Sequence, residues 1–99
     1  MHYLLFYEKA PDHAQRQGPW QAPHLEYVRA AADRGELVLA GSLSDPDDGA
    51  AVLLFRGDSP AAAEAFARAD PYVVHGIVSR WRVRAWHTVV GRDAAEPRP

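Results

Sequence analysis

The segment His2–Glu8, with the sequence HYLLFYE, restricts the possible fold more than any other part of this chain. It is short and rich in aromatic side chains, as β-strands are. A strand with one buried face alternates apolar and polar side chains, but both faces of this segment are apolar. One face carries Tyr3, Leu5 and Tyr7, and the other carries Leu4 and Phe6. The segment therefore predicts a strand that is covered on both sides.

Turn and helix signals divide the rest of the chain into two helices and three more strands. Residues 9–22 form a long polar connection in this prediction, and connections of this length are often functional. The elements that follow are a helix over Pro23–Gly35, strands over Leu37–Leu43 and Ala50–Phe55, a second helix, and a strand over Val78–Val90. The second helix is capped by Ser59, and its predicted core side carries Ala62, Ala65, Phe66 and Ala69. The predicted order is therefore β-α-β-β-α-β.

This order is that of the ferredoxin-like split βαβ arrangement. We therefore predict an α+β fold, with a four-stranded antiparallel sheet in the order 4-1-3-2 and two helices on one face. The other face is bare in a single chain, and a domain of 99 residues is only marginally stable by itself, because it buries roughly 60–65% of the surface that its unfolded chain exposes. We expect a homodimer that forms through the sheet face. Residues 1–90 are the single predicted domain, and the polar, proline-bearing residues 91–99 are predicted to be a disordered tail.

The composition and charge of the chain argue against several classes of function. The net charge is −2, and nucleic-acid-binding proteins present a basic surface. The chain has no cysteine, hence no disulfide and no thiolate chemistry. No apolar run approaches the roughly 20 residues of a membrane span, and no signal peptide opens the chain. We therefore expect a cytoplasmic protein with neither a nucleic acid nor a membrane as partner.

The motifs predict neither a metal nor a cofactor. The fold could gather His24, His75 and His87 around Asp70, but these residues have no close ligand spacing in the sequence. A glycine-rich phosphate loop and a GxSxG motif are both missing, so Ser42 lacks the context of a nucleophile. We retain Ser42 as a substrate-binding candidate.

Two residues are candidates for acid–base chemistry, and each also has a purely structural explanation. His24 falls in the first turn of the first predicted helix, where the helix dipole disfavours a charged imidazole, so a neutral ring there could accept a proton. The alternative, which the sequence alone favours, is a half-exposed residue that fills a surface slot. Asp70 precedes Pro71, and this pair is a good helix N-cap. On its own, Asp70 is better explained as a cap.

Arg80, Arg82 and Arg84 alternate along the last predicted strand and so point to one face. At a sheet edge, charged side chains discourage aggregation, and this explanation suits at least two of the three. The alternative is an anion-binding rim, because the guanidinium fork matches a carboxylate. We take Arg80 as the substrate-binding candidate of this row.

Two stretches of the chain resemble the YCII-related family of the dimeric α+β barrel superfamily. They are PHLEYVRAAADRGELVLAGSL and AEAFARADPYVVHGIVSRWRVRAW, and the similarity extends over almost the whole chain to about Thr88. Its most specific parts are the pair His24 and Leu25, the LAG of residues 39–41 and the ADPY of residues 69–72. The resemblance implies ferredoxin-like monomers that pair sheet to sheet. It also implies a pocket in which His24 and Asp70 form an acid–base pair.

With this resemblance, we predict a His–Asp enzyme of the lyase, isomerase or dehydrochlorinase type. Its substrate would be a small organic acid or an aromatic-derived metabolite, and Tyr7 and Tyr72, with Tyr3 and Trp20, would suit a flat ligand. The alternatives are a module that binds a small metabolite without turnover and a dimeric accessory protein. Residues 11–22 depart from the family pattern and leave the substrate open.

The acid–base pair implies a specific geometry. We expect a hydrogen bond of roughly 2.6–3.2 Å between a carboxylate oxygen of Asp70 and a ring nitrogen of His24. Nδ1 towards Asp70 would leave Nε2 for the substrate, but the sequence is compatible with either arrangement.

Overall fold

Four β-strands form one antiparallel sheet in the order β2-β3-β1-β4. The computed structural model describes residues 1–99. Its elements are β1 His2–Lys9, α1 His13–Arg16, α2 Gly18–Asp33, β2 Leu37–Ser42, β3 Ala51–Arg56, α3 Ala61–Ala69, α4 Pro71–Val74 and β4 Val78–Trp86. The sheet order and the α+β class are those predicted, and the short helices α1 and α4 are additions to the predicted pattern.

The core lies between β1 and the helices. Tyr3, Leu5 and Tyr7 alternate along β1, and all three are buried. The neighbouring β3 adds Leu53 and Phe55 to the same layer. The helices cover this face with the buried side chains Ala31 of α2, Ala63, Phe66 and Ala67 of α3, and Tyr72 of α4. The odd-numbered face of β1 is therefore the face that the helices bury.

The second face of β1 is only partly covered within one chain. Leu4 and Phe6 are half-buried, and the guanidinium of Arg82 lies 5.1 Å from the centre of the Phe6 ring. Leu39 and Trp86 are exposed. The predicted cover on both sides of β1 is thus present on one side only in the single chain.

The C-terminal segment runs beside this open face. Thr88 Oγ1 lies 2.7 Å from Nδ1 of His2 on β1, and the backbone N–H of Glu96 donates to the carbonyl of Thr88 at 2.9 Å. A hollow of about 500 Å³ lies between residues 87–94 and the sheet. The domain boundary at residue 90 and the disorder of residues 91–99 stay predictions.

The prediction of where α2 begins is wrong. The helix begins at Gly18, and Pro19 occupies its first turn while Pro23 lies inside it. His24 is therefore the seventh residue of the helix, beyond the first turn in which the helix dipole acts. The dipole argument for a neutral imidazole does not apply to His24. The predicted polar connection also contains α1.

The core face of α3 and the end of β4 also differ from the prediction. Ala63, Phe66 and Ala67 are buried, while Ala65 and Ala69 are exposed. Phe66 packs edge-on against Phe55, with ring centres 5.2 Å apart, and this contact sets the rotation of the helix. The last strand ends at Trp86 instead of Val90.

The turn between α2 and β2 gives a test of the fold. Gly35 follows α2 with a φ of +83°, a left-handed conformation that costs a residue with a Cβ atom about 1–2 kcal/mol. A Cβ atom at Gly35 would meet no other atom within 4 Å, so the cost would come from the backbone alone. We expect Gly35→Ala to lower the free energy of unfolding by about that amount, as measured by urea denaturation.

Gly18→Ala is the matched control. Gly18 lies in α2, its φ is negative, and it too has open space around its Cβ position. This variant should keep or raise the stability, because alanine is the better helix former. Equal losses for both variants would contradict the backbone explanation.

Candidate functional site

Asp70 joins α3 to α4 and is completely buried. Pro71 cannot continue α3, and Asp70 takes an extended conformation with φ −62° and ψ 127°. Its Oδ1 accepts the backbone N–H of Tyr72 at 3.0 Å, which is the N-cap bond of α4. The residue is therefore the cap that its place before a proline predicts.

The same carboxylate accepts two further hydrogen bonds from side chains. The hydroxyl of Tyr7 donates to Oδ2 at 2.7 Å, and Nδ1 of His24 lies 2.8 Å from Oδ1. An unpaired buried charge would cost several kcal/mol. Three donors instead surround Asp70, and the structure leaves no buried side-chain nitrogen or oxygen without a partner.

The hydrogen bond between His24 and Asp70 has the predicted length. A carboxylate oxygen that accepts a backbone N–H has no proton to offer, so Nδ1 of His24 is the donor and Nε2 is left with its lone pair when the ring is neutral. The ring lies flat against the ring of Tyr72, with centres 3.9 Å apart and planes inclined by 3°. The side chain keeps 16% exposure. The bond and the stacking together fix the orientation of an accessible imidazole.

A cavity of about 440 Å³ opens beside this imidazole. Four of the predicted site residues line it, namely Tyr7, His24, Ser42 and Tyr72. The other lining residues are Lys9, Gln21, Leu25, Val28, Ala40, Gly41, Ala51 and Leu53. Asp70 is not among them because it lies behind His24. The cavity wall is therefore mostly apolar, and the ring of His24 is the imidazole that faces it.

Three residues that were expected near the ligand lie elsewhere. Arg80 is largely exposed on the open face of the sheet, where its Nε lies 3.7 Å from Glu8, and it lines a separate hollow of about 390 Å³. Within one chain the sheet separates it from His24. Tyr3 is a core residue, and Trp20 stacks on His75 with ring centres 3.5 Å apart.

Lys9 and Gln21 line the cavity, but the sequence patterns did not predict either of them as a site residue. Gln21 lies in the stretch that was predicted as a loop. Had α2 been extended back to Gly18, the spacing of three and four residues would have placed Gln21 beside His24 and Leu25. Lys9 lies two residues after Tyr7 on β1, so the strand alternation places both on one face.

Burial and Asp70 alter the acidity of the tyrosines around the carboxylate. Burial, and next the charge of Asp70, raise the pKa of Tyr7 well above its ordinary value of 10.0. The same two causes, in the same order, raise the pKa of Tyr72. Tyr7 therefore stays protonated and remains a hydrogen-bond donor to Asp70 at all ordinary pH values. The phenol of Tyr7 and the backbone N–H of Tyr72 hold the carboxylate in place, and the imidazole of His24 is its third partner.

The side chains do not form a metal centre of the usual kind. No group of three or more histidine, cysteine, aspartate or glutamate side chains stands close enough together to hold a metal ion. None of the helices has the length and apolar character that crossing a membrane requires.

Several solved structures share this fold, and they include the following two. One is 5-chloro-2-hydroxyhydroquinone dehydrochlorinase (TftG) from Burkholderia phenoliruptrix, in complex with 2,5-dihydroxybenzoquinone, at 20% identity and a TM-score of 0.73, with 89% of this chain and 95% of that chain covered. The other is a structural-genomics protein from Agrobacterium tumefaciens, at 16% identity and a TM-score of 0.56, with 96% and 98% covered. No curated protein sequence matches the chain.

A family match complements these structural similarities. Residues 1–87 match the YCII-related domain, a span that includes β1, every helix and the whole cavity wall. The histidine and the ADPY segment on which the resemblance rested both lie within it. The chain therefore belongs to the YCII-related family.

Proposed function

We propose that this protein is a cofactor-independent acid–base enzyme in which His24 moves the proton and Asp70 orients and stabilises His24. The observation that carries the proposal is the 2.8 Å hydrogen bond from an accessible imidazole to a fully buried carboxylate at the wall of a cavity. A carboxylate in this position fixes the tautomer of the imidazole and stabilises the imidazolium that forms during proton transfer. We expect the enzyme to act in the cytoplasm.

The chemistry that suits this pair is elimination or isomerisation. In a hydroxylated ring that carries chlorine, neutral His24 accepts a proton at Nε2 from one ring hydroxyl and returns it to the carbon that carries the chlorine, which gives a ketone. His24 then accepts the proton of a second ring hydroxyl, and the electron pair of that O–H bond forms a C=O bond while the conjugated double bond shifts towards the carbon that carries the chlorine. A leaving group such as chloride departs with its own bonding pair, and the imidazolium then releases the proton to solvent. The sum is loss of HCl, without an oxidant. Return of the proton to a different carbon would give isomerisation instead.

We propose a small, flat, oxygen-rich ring as the substrate class. The volume of the cavity lies in the range of small-ligand sites, and its wall includes the stacked rings of His24 and Tyr72. The similar structure of TftG, a dehydrochlorinase, holds 2,5-dihydroxybenzoquinone. Chlorinated hydroquinones are therefore the first compounds to assay.

A matched pair of histidine variants tests the proposed role of His24. We expect His24→Gln to lower kcat/KM by about 10²–10⁴-fold, because the amide cannot act as a base. His87→Gln is the control, since His87 is exposed and pairs with Glu96 in the C-terminal segment. Chloride release from a panel of chlorinated hydroquinones is the measurement. Wild-type rates in His24→Gln would contradict the role, and saturable binding without turnover by the wild type would favour a metabolite-binding module.

Asp70 should affect both activity and stability. Asp70→Asn keeps the shape but removes an acceptor, so turnover should fall, by less than in the His24 variant. Asp70→Ala would leave the donors of Tyr7, His24 and Tyr72 unpaired, and each unpaired buried group costs about 1–3 kcal/mol. Its loss of unfolding free energy should therefore exceed the ~1 kcal/mol of a simple N-cap. A loss no larger than that of a cap would show that the three bonds contribute little.

The raised pKa of Tyr7 predicts a loss of stability in alkali. Tyr7 is protonated in the folded protein but ionises near pH 10.0 when unfolded. The contribution of Tyr7 to the free energy of unfolding is therefore complete below that pH and is lost as the pH rises above it. In Tyr7→Phe the unfolding free energy should fall less steeply above pH 10.0 than in the wild type. An unchanged slope in alkaline urea titrations would contradict this assignment.

At neutral pH, Tyr7→Phe should lower the free energy of unfolding. Tyr7→Phe removes the donor to Oδ2 of Asp70, at a cost of about 1–3 kcal/mol. Tyr3→Phe is the control for neutral pH, because Tyr3 lies on the same buried face of β1 without a bond to Asp70.

We further propose that the open face of the sheet forms a homodimer interface. The half-buried Leu4 and Phe6 and the exposed Trp86 leave an apolar surface there, which a second copy would cover. Leu4→Glu would bury an unpaired charge in such an interface and should split the dimer. Ala65→Glu, on the exposed side of α3, is the control. Sedimentation should give twice the chain mass of 10.9 kDa for the wild type and the control, and a monomeric wild type would overturn the proposal.

A further inference from the structure

Lys9 is the only lysine in the chain, and it lies at the end of β1. The pairing of β1 with β4 shifts register between Glu8 and Lys9, where β4 carries an extra residue, Ser79. The side chains of β1 therefore keep their alternation, and Lys9 lies on the same face as Tyr7. Lys9 lines the same cavity as Tyr7 and His24. A single ammonium group thus stands at the wall of the proposed site.

The ammonium of Lys9 has no counter-charge from the protein. The ion pairs of the structure involve Arg16, Arg34, Arg80 and two histidines, and none brings a carboxylate oxygen within 4.0 Å of Lys9. Its contacts are weak ones. Nζ lies 3.4 Å from Oε1 of Gln17 and 5.3 Å from the centre of the Tyr72 ring. An ammonium has three N–H donors, so the protein occupies only part of its bonding capacity.

The half-buried position of this cation has an energetic cost. Burial lowers the pKa of Lys9, because a cation that leaves water without a partner is destabilised. The other cationic side chains of the protein are arginines, and none of them lines the cavity. Asp70 lies behind His24 and is already bonded by three donors. A negatively charged ligand would therefore meet one uncompensated positive group, that of Lys9.

We infer that Lys9 is the anion-recognition residue of this cavity and binds an ionised oxygen of the ligand. The inference rests on the proposed function, since it names the charge of the substrate that His24 would act on. When His24 removes a proton from a ring hydroxyl, negative charge develops on that oxygen and on the oxygens conjugated with it, and a fixed cation beside one of them stabilises it. Lys9 would thus select acidic rings and favour the enolate or phenolate form.

A pair of probes that differ in charge tests this role. 2,5-Dihydroxybenzoquinone ionises at neutral pH, whereas 2,5-dimethoxybenzoquinone has a similar shape and no charge. We expect Lys9→Met to raise the dissociation constant of the ionised probe by about 10- to 100-fold, which is the effect of losing one charge-assisted hydrogen bond. Affinity for the neutral probe should not change. Lys9→Arg should keep most of the affinity for the ionised probe, and Arg29→Met, an exposed site on α2, is the control.

Further measurements keep the test decisive. Wild-type affinity for the ionised probe should fall with added salt, and that dependence should be weaker in Lys9→Met. Should Lys9→Met fail to fold by circular dichroism, Lys9→Gln and the wild-type salt dependence replace it. Equal losses for both probes, an unchanged affinity for the ionised probe, or binding of neither probe by the wild type would each overturn the inference.

The two proposals can fail separately. Turnover that depends on His24, without any preference of Lys9 for the ionised probe, would overturn the role of Lys9 alone. Charge selection by Lys9 without turnover by the wild type would support the role of Lys9 and reject the enzyme.

Discussion

The arrangement of this protein around its cavity depends on one buried carboxylate. Asp70 is completely inaccessible, and an ion in that position persists only when donors surround it. Those donors come from β1, α2 and α4, through Tyr7, His24 and Tyr72. Elements that are far apart in the sequence must therefore meet at a single point. The carboxylate that caps α4 is also what connects the sheet to the two helices.

The consequence for chemistry is an imidazole with little freedom of movement. Nδ1 is held by Asp70, one ring face is held by Tyr72, and the helix that carries His24 is itself attached to α3, because the hydroxyl of Tyr27 donates to the carbonyl of Phe66 at 2.8 Å. A base that is already oriented loses little entropy when a substrate arrives. The high pKa of Tyr7 keeps the second carboxylate oxygen occupied, so the proposed proton transfer would take place at Nε2 of His24.

The two faces of the sheet have separate roles in this scheme. The odd-numbered side chains of β1 begin in the core and end at the cavity, where Tyr7 and Lys9 lie. The even-numbered side chains face outward and meet the arginines of β4, as the contact between Phe6 and Arg82 illustrates. One strand thus supplies both the wall of the proposed site and the surface proposed for a second copy. In this proposal, the apolar side chains on one face of β1 belong to the core, and those on the other face belong to the interface with a second copy.

The sequence by itself determined the features that depend on neighbouring residues. The alternation in β1, the cap at Asp70 and the turn signals sufficed for the four strands and the two long helices, because each of these signals is a local pattern. The sheet order then followed from the ferredoxin-like arrangement that this succession of elements matches. The prediction failed where two local signals competed: Pro19 and Pro23 both suit a helix start, and the helix begins at Gly18, so that Pro19 occupies its first turn. Only the tertiary structure decided that Lys9 joins His24 while Arg80 does not. Such meetings depend on strand register and on which face of the sheet the helices cover, and these are settled by contacts between residues distant in the chain.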